Sequence, residues 1–147
     1  RGLTIAIAES LSGGLIGHQL TDISGISDVL LGDFVAYSNA VKSKVLKVLC
    51  DDIEKHGAVS ETVACAMAVG ARELAGSDVA IATTGIAGPG GGSKEKPVGL
   101  VWVAVADANG VLAERRVLPG NRSEVKDRAA AFALDLMRRR CSWGQGG

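Results

Sequence analysis

Apolar residues recur along this chain in two rhythms, and their alternation lays out the predicted elements. Short, mostly apolar runs at residues 3–8, 32–37, 79–83 and 99–106 read as strands. The segments between them follow helical spacing. Ser12 is placed to cap a helix that runs through Leu15, Ile16 and Leu20 to about Ile23, where Ser24-Gly25 breaks it. Residues 39–48 predict a helix with Val41, Val45 and Val48 on one face and Lys44 and Lys47 elsewhere. Residues 51–56 predict a short helix ended by Gly57.

Ser60 then caps the clearest helix. Glu61 lies in its first turn, where the helix dipole favours an acid. Val63, Met67, Ala71 and Leu74 form its apolar stripe, and its many alanines allow close packing. Asn109-Gly110 is a hairpin signal, so residues 111–117 read as the antiparallel partner of the fourth strand. Ser123 is placed to cap a last helix with Val125, Ala129, Phe132, Ala133, Leu136 and Met137 at a 3.6 period. Residues 143–147 read as a mobile tail.

Strands alternating with helices predict an α/β protein, a single three-layer α/β/α sandwich. The late hairpin makes the sheet mixed. No repeat or linker interrupts residues 1–142, so they are expected to form one domain. The chain has no initiator Met and enters its first apolar run at Leu3, which predicts a segment upstream.

Composition narrows the function classes. Hydrophobic residues make up 47% of 147 positions, enough for a packed core. Sixteen basic and sixteen acidic residues cancel, so no overall charge draws the chain to nucleic acid or an anionic membrane. Arg138-Arg139-Arg140 is a lone basic run and reads as a solvated helix end. The longest apolar stretch, residues 98–106, is about half a membrane span. No signal peptide is evident. Cys50, Cys65 and Cys141 are odd in number and lack CxxC spacing, which fits a reduced, cytoplasmic setting. The histidines and cysteines have no ligand spacing, so no metal site is expected.

Candidate chemistry gathers where predicted strands end. Three such points carry AESLSGG at 8–14, YSNAVK at 37–42 and TGIAGPGGGS at 84–93. In open α/β sheets these points meet at one edge and form the ligand site. Ser10 follows a buried strand and precedes Gly13-Gly14, whose backbone N–H groups could hold an oxyanion. It reads either as a nucleophile or as a hydrogen-bonding residue at a helix approach. A serine nucleophile needs a base. His18 lies within a helix and His56 at a helix end, so neither sits in a strand-end loop. Lys42, one turn into its helix, is the remaining base, and it must lose its proton through burial or a nearby cation. On spacing alone the reading as a solvated helix lysine prevails. Tyr37 could relay a proton or orient the pair. The Gly-rich loop matches neither Walker A nor GxGxxG, yet its N–H groups could cradle a phosphate. Lys94, Lys96 and Arg122 could add positive charge, with Arg122 favoured by its place before a helix. Glu9 could contact a ribose hydroxyl or hold Lys42 charged; both readings stay open.

These motifs, with HGAVSE at 56–61, TGIAGPGGGSKEKPVG at 84–99 and GNR at 120–122, resemble the CinA C-terminal domain family. The family pattern reads AESCTGG, YSNEAK, HGAVSE, TGIAGPGGGSEEKPVG and GDR. The likeness runs from about Leu3 to about Arg139. It implies an amidohydrolase that converts nicotinamide mononucleotide to nicotinic acid mononucleotide and ammonia through a Ser–Lys pair. By position Ser10 matches the nucleophile, Lys42 the base and Tyr37 the assisting residue. Asn39, Thr84, Gly85 and Arg122 match the substrate-contacting region, beside Glu9, Gly13 and Gly14 from the reading above. The resemblance implies no cofactor, a small pyridine nucleotide as partner and a helix upstream of the first strand. The small-residue helices leave room for a homodimer. Leu11, Ser12, Ala40-Val41, Lys94 and Asn121 depart from the pattern, and none of them replaces a presumed catalytic group. The competing expectation is a non-catalytic nucleotide-binding or oligomerisation module of a larger competence- or damage-inducible protein.

Overall fold

The structure, a computed structural model, describes residues 2–143. Five strands form one sheet in the order β2-β1-β3-β4-β5. They are β1 (Ile5–Glu9), β2 (Leu30–Val35), β3 (Val79–Gly85), β4 (Leu100–Asp107) and β5 (Gly110–Val117). Strand β1 is central and runs parallel to both β2 and β3. Strand β4 returns antiparallel to β3 because no crossover helix lies between them, and β5 pairs antiparallel to β4. The sheet is therefore mixed one connection earlier than the Asn109-Gly110 hairpin alone implies.

Helices cover both faces, giving the expected three layers. They are α1 (Leu15–Thr21), α2 (Asn39–Leu46), α3 (Cys50–His56), α4 (Glu61–Ala75) and α5 (Arg122–Trp143). The strands sort their side chains by size. Ile7, Ile81, Val101, Val103 and Val105 face Ile16 of α1 and Val125, Phe132 and Leu136 of α5. Ala6, Ala8, Ala80, Ala82, Ala104 and Ala106 face Val63, Met67 and Ala71 of α4. Alternation of large and small residues at period two lets α4 lie close to the sheet while α1 and α5 stand over bulkier side chains.

Three local expectations change. Ser12 does not cap α1: its hydroxyl shares a 2.9 Å hydrogen bond with the Thr83 hydroxyl, and α1 starts from Gly14 in a left-handed conformation. Ser123 does not cap α5. The cap is Asn121, whose side chain accepts the Glu124 N–H at 2.9 Å while Glu124 accepts the Asn121 N–H at 3.0 Å. Leu74 is 52% exposed, so the buried stripe of α4 ends at Ala71. The Ser60 cap is present, accepting the Val63 N–H at 3.3 Å. Of the tail, Trp143 ends α5, and residues 144–147 lie outside the described residues.

Candidate active site

Strand alternation decides where the first motif points. Ile5, Ile7 and Glu9 of β1 face the α1 side, so the next residue, Ser10, turns toward α2. Ser38 caps α2 by accepting the Val41 N–H at 3.2 Å, and the helix brings Lys42 inward. The Lys42 side chain is 1% exposed and Ser10 is 8% exposed. Lys42 Nζ donates to Ser10 Oγ at 3.1 Å and to the Tyr37 carbonyl at 3.0 Å. Among the described residues no carboxylate pairs with Lys42. Burial holds its ammonium below the ordinary lysine value, because the charged form loses hydration and gains no counter-ion.

The pair borders a cavity of about 320 Å³ whose lining includes Tyr37, Asn39, Thr84, Gly85 and Arg122. The Thr84 hydroxyl donates to the Ala58 carbonyl at 2.8 Å, tying the 57–60 turn to the end of β3. Gly85 has no room for a side chain, since a Cβ there would stand 2.7 Å from the Leu100 carbonyl oxygen. Arg122 donates to the Gly88 carbonyl at 2.7 Å and to the Tyr37 hydroxyl at 3.2 Å. Tyr37 therefore holds Lys42 through its main-chain carbonyl, while its phenol pairs with Arg122 on a residue that is 63% exposed.

Glu9 takes neither role expected of it. It is fully buried, and its carboxylate accepts the N–H groups of Gly14, Ile16 and Gly17 at 3.1–3.2 Å. It holds the start of α1 against β1 and touches neither Lys42 nor the cavity. Beside it lies Asp33 of β2, directly under Gly17, where a Cβ would stand 2.3 Å from Asp33 Oδ2. Burial, followed by the hydrogen bond to Glu9 and its charge, pushes the Asp33 carboxyl up to about 8. For Glu9, burial pulls upward, and hydrogen bonds from Asp33, Ser12, Ile16 and Gly17 outweigh it, leaving the carboxyl below its ordinary value. Near neutral pH the two groups therefore share one proton, with Asp33 donating to a charged Glu9. Asp33 Oδ1 is buried with no partner among the described residues, as suits a protonated acid.

The expected oxyanion donors also move. Gly13 donates its N–H to the Ser10 carbonyl at 3.1 Å, and Gly14 donates to Glu9. Both glycines line a neighbouring cavity instead. Within the same turn, the N–H groups of Leu11 and Ser12 have no acceptor among the described residues. Neither histidine lines the Ser10 cavity, and neither does Lys94 or Lys96. Lys96 donates to the His56 carbonyl and so braces the Gly-rich loop.

The model of the CinA C-terminal domain matches residues 1–141. The chain belongs to the CinA C-terminal domain family. A CinA-like protein of Gemmatimonas aurantiaca is 53% identical over 139 residues, which cover 95% of this chain and 32% of that protein. One of Salinibacter ruber is 52% identical over 142 residues, covering 97% and 34%. The chain thus spans about a third of the length of the curated relatives it matches. Among solved structures, the competence/damage inducible protein CihA of Agrobacterium tumefaciens superposes with a TM-score of 0.91 at 43% identity. That match covers 94% of this chain and 85% of the other. The competence damage-inducible protein A (ComA) of Klebsiella pneumoniae gives 0.93 at 32%, covering 97% and 88%.

Within this CinA domain, reading the sequence by motif missed Asp33 and the free N–H groups of Leu11 and Ser12. Asp33 had a visible signal, an acid inside a strand pattern. The N–H groups had none, because the path of a turn decides which amides are spent.

Proposed function

We propose that this CinA-family domain is an amidohydrolase that deamidates nicotinamide mononucleotide, giving nicotinic acid mononucleotide and ammonia. The observation that carries the reading is the contact between Ser10 Oγ and a buried, carboxylate-free Lys42 amine. A neutral amine at that position accepts the serine proton through the same 3.1 Å contact.

The reaction then runs in two halves. Lys42 Nζ takes the Ser10 proton as Oγ bonds to the carboxamide carbon, and the free N–H of Leu11, which lines the same cavity, receives the oxyanion. The C–N bond breaks as the Lys42 ammonium returns its proton to the leaving nitrogen, releasing ammonia. Water, deprotonated by Lys42, attacks the acyl-serine. The Ser10 C–O bond breaks, and Oγ regains its proton from Lys42. The scheme uses no cofactor. The substrate is a small nucleotide; the reading involves no nucleic acid, and it sets the protein in the cytoplasm as a homodimer. No described helix is long and apolar enough to cross a membrane.

The test is ammonia release from nicotinamide mononucleotide by the parent and by Ser10→Ala. Release by the parent alone supports the amidase and its nucleophile. The second reading, a non-catalytic nucleotide-binding or oligomerisation module, draws on the small share of its relatives that the chain spans. Folded protein that binds the nucleotide and releases no ammonia would favour that reading.

A further inference from the structure

The turn that carries Ser10 rests on a buried polar chain running from β2 through β1 to β3. Glu9 stands at its centre, fully buried, where it accepts the N–H groups of Gly14, Ile16 and Gly17 at 3.1–3.2 Å. The Ser12 hydroxyl also bonds to Glu9. A hydroxyl has one proton to give. Ser12, having given its own to Glu9, therefore accepts the 2.9 Å bond from the Thr83 hydroxyl. On the other side Asp33 of β2 joins the chain through its hydrogen bond to Glu9. Ser10 and Leu11 lie between two members, Glu9 and Ser12, so the chain fixes the turn from both sides.

Asp33 has no alternative partner that would let it serve Glu9 less directly. Its Oδ1 is buried without a hydrogen bond among the described residues. Its Oδ2 lies 2.3 Å from where a Cβ on Gly17 would stand, so glycine at that point of α1 is what admits the carboxyl. From β1 Asp33 faces Glu9, and from α1 it faces the Gly17 N–H. The other charged groups of the elements packed on β2 lie elsewhere. His18 of α1 lines the neighbouring cavity, Asp22 and Asp28 are exposed, and α4 covers the opposite face of the sheet. Among the described residues no cation pairs with either carboxyl. Two carboxyl groups without a counter-ion are held together by the proton between them, and without it two like charges occupy one site.

We propose that Asp33 is a positioning residue for the reaction at Ser10: it holds Glu9, and through Glu9 the 10–14 turn, in the geometry that sets the Ser10 hydroxyl on Lys42 and the Leu11 N–H at the cavity. The proposal rests on the amidase reading for its reaction, and on the buried chain for its mechanics. Asp33 touches neither the cavity nor Lys42, so it acts on turnover and not on substrate binding. Its proton is present near neutral pH and is lost as pH rises through about 8, when repulsion from Glu9 releases the turn.

The test compares ammonia release from nicotinamide mononucleotide by the parent, Asp33→Ala and Asp33→Asn. Asp33→Ala removes the donor and should lower kcat about ten- to hundred-fold with KM unchanged. Asp33→Asn keeps a neutral donor to Glu9 and should restore the parent's kcat at neutral pH. The decisive reading is the ratio of parent to Asp33→Asn turnover against pH, in which the Lys42 limb cancels because both proteins share it. That ratio should stand near one below about 8 and fall above it. It uses only the conservative variant, so it survives an Asp33→Ala protein that does not fold. In parallel, the Leu11 methyl NMR signals, without substrate, should shift through the same window in the parent and stay fixed in Asp33→Asn, with the Val103 methyls of the core as the control. A flat ratio, or a loss in Asp33→Ala that appears only in Tm, would overturn the positioning role and leave the amidase standing. Leu11 shifts that depend on Asp33, in a parent that releases no ammonia, would keep the hold on the turn and refute the amidase reading.

Discussion

Gly70→Ala separates what helix propensity predicts from what packing predicts. Gly70 sits inside α4, where alanine is favoured over glycine by about 1 kcal/mol. Propensity alone therefore predicts a more stable protein. The structure predicts the opposite. A Cβ at Gly70 would stand 1.9 Å from the carbonyl oxygen of Leu46, the last residue of α2, and 2.8 Å from its carbonyl carbon. These are backbone atoms and cannot turn aside. To reach ordinary contact at 3.4 Å, α2 and α4 must part by about 1.5 Å. Overpacking of this kind costs about 1–3 kcal/mol. Set against the propensity gain of about 1 kcal/mol, the net loss is about 0–2 kcal/mol. The displaced helix is the one that carries Lys42, whose bond to Ser10 is already 3.1 Å long. A shift of about 0.5 Å takes that bond out of range, and misplacement near 1 Å lowers turnover about a hundred-fold. Urea denaturation with the m-value held in view measures the first effect, and ammonia release measures the second. Gly76→Ala is the control. Gly76 caps α4 in a left-handed conformation with open space around it, so alanine there costs about 1–2 kcal/mol of backbone strain and leaves turnover intact. A Gly70→Ala protein more stable than the parent by the full propensity gain of about 1 kcal/mol would refute the packing argument.

Three further outcomes follow from the geometry. Turnover should rise with pH to a plateau as the Lys42 ammonium loses its proton below the ordinary lysine range, and Lys42→Arg, which stays charged, should lose about 10²–10⁴-fold; turnover by the arginine variant within about tenfold of the parent would place the base elsewhere. Asp33 titrates at about 8 in the fold against 3.8 unfolded, so between those values the fold holds a proton that the unfolded chain has released. Its contribution should fall as pH rises through that window, with a slope no steeper than about 1.4 kcal/mol per pH unit. Asp33→Asn should flatten the trend in urea midpoints, and an unchanged slope would remove the shared proton from the account. Asn121→Ala should lower stability by about 1 kcal/mol and Ser123→Ala should not, read as a difference in Tm; equal effects would contradict the observed cap.

The order and type of the elements were legible before any coordinates, because a period of two or 3.6 is written into each segment by which residues must be buried. The AESLSGG and YSNAVK motifs were legible as ligand-edge segments for the same reason, since each follows a recognisable strand. Their family likeness named a serine and a lysine. What that reading could not supply was direction. Ser12 and Thr83 lie far apart in the chain, yet their hydroxyls meet between the turn after β1 and strand β3, so a residue suited to capping is spent elsewhere. Glu9 and Ser10 are adjacent, yet the pleat sends one under α1 to meet three N–H groups and the other toward Lys42. Only the packed structure determined that Lys42 is buried without a carboxylate. Hydration is lost to neighbours from every layer, and no local pattern records them. The sequence by itself determined the layers, the strand-end edge and the residue types gathered there. The tertiary structure decided which amides remain free and which acids share a proton, because each depends on distances between segments that sequence spacing does not set.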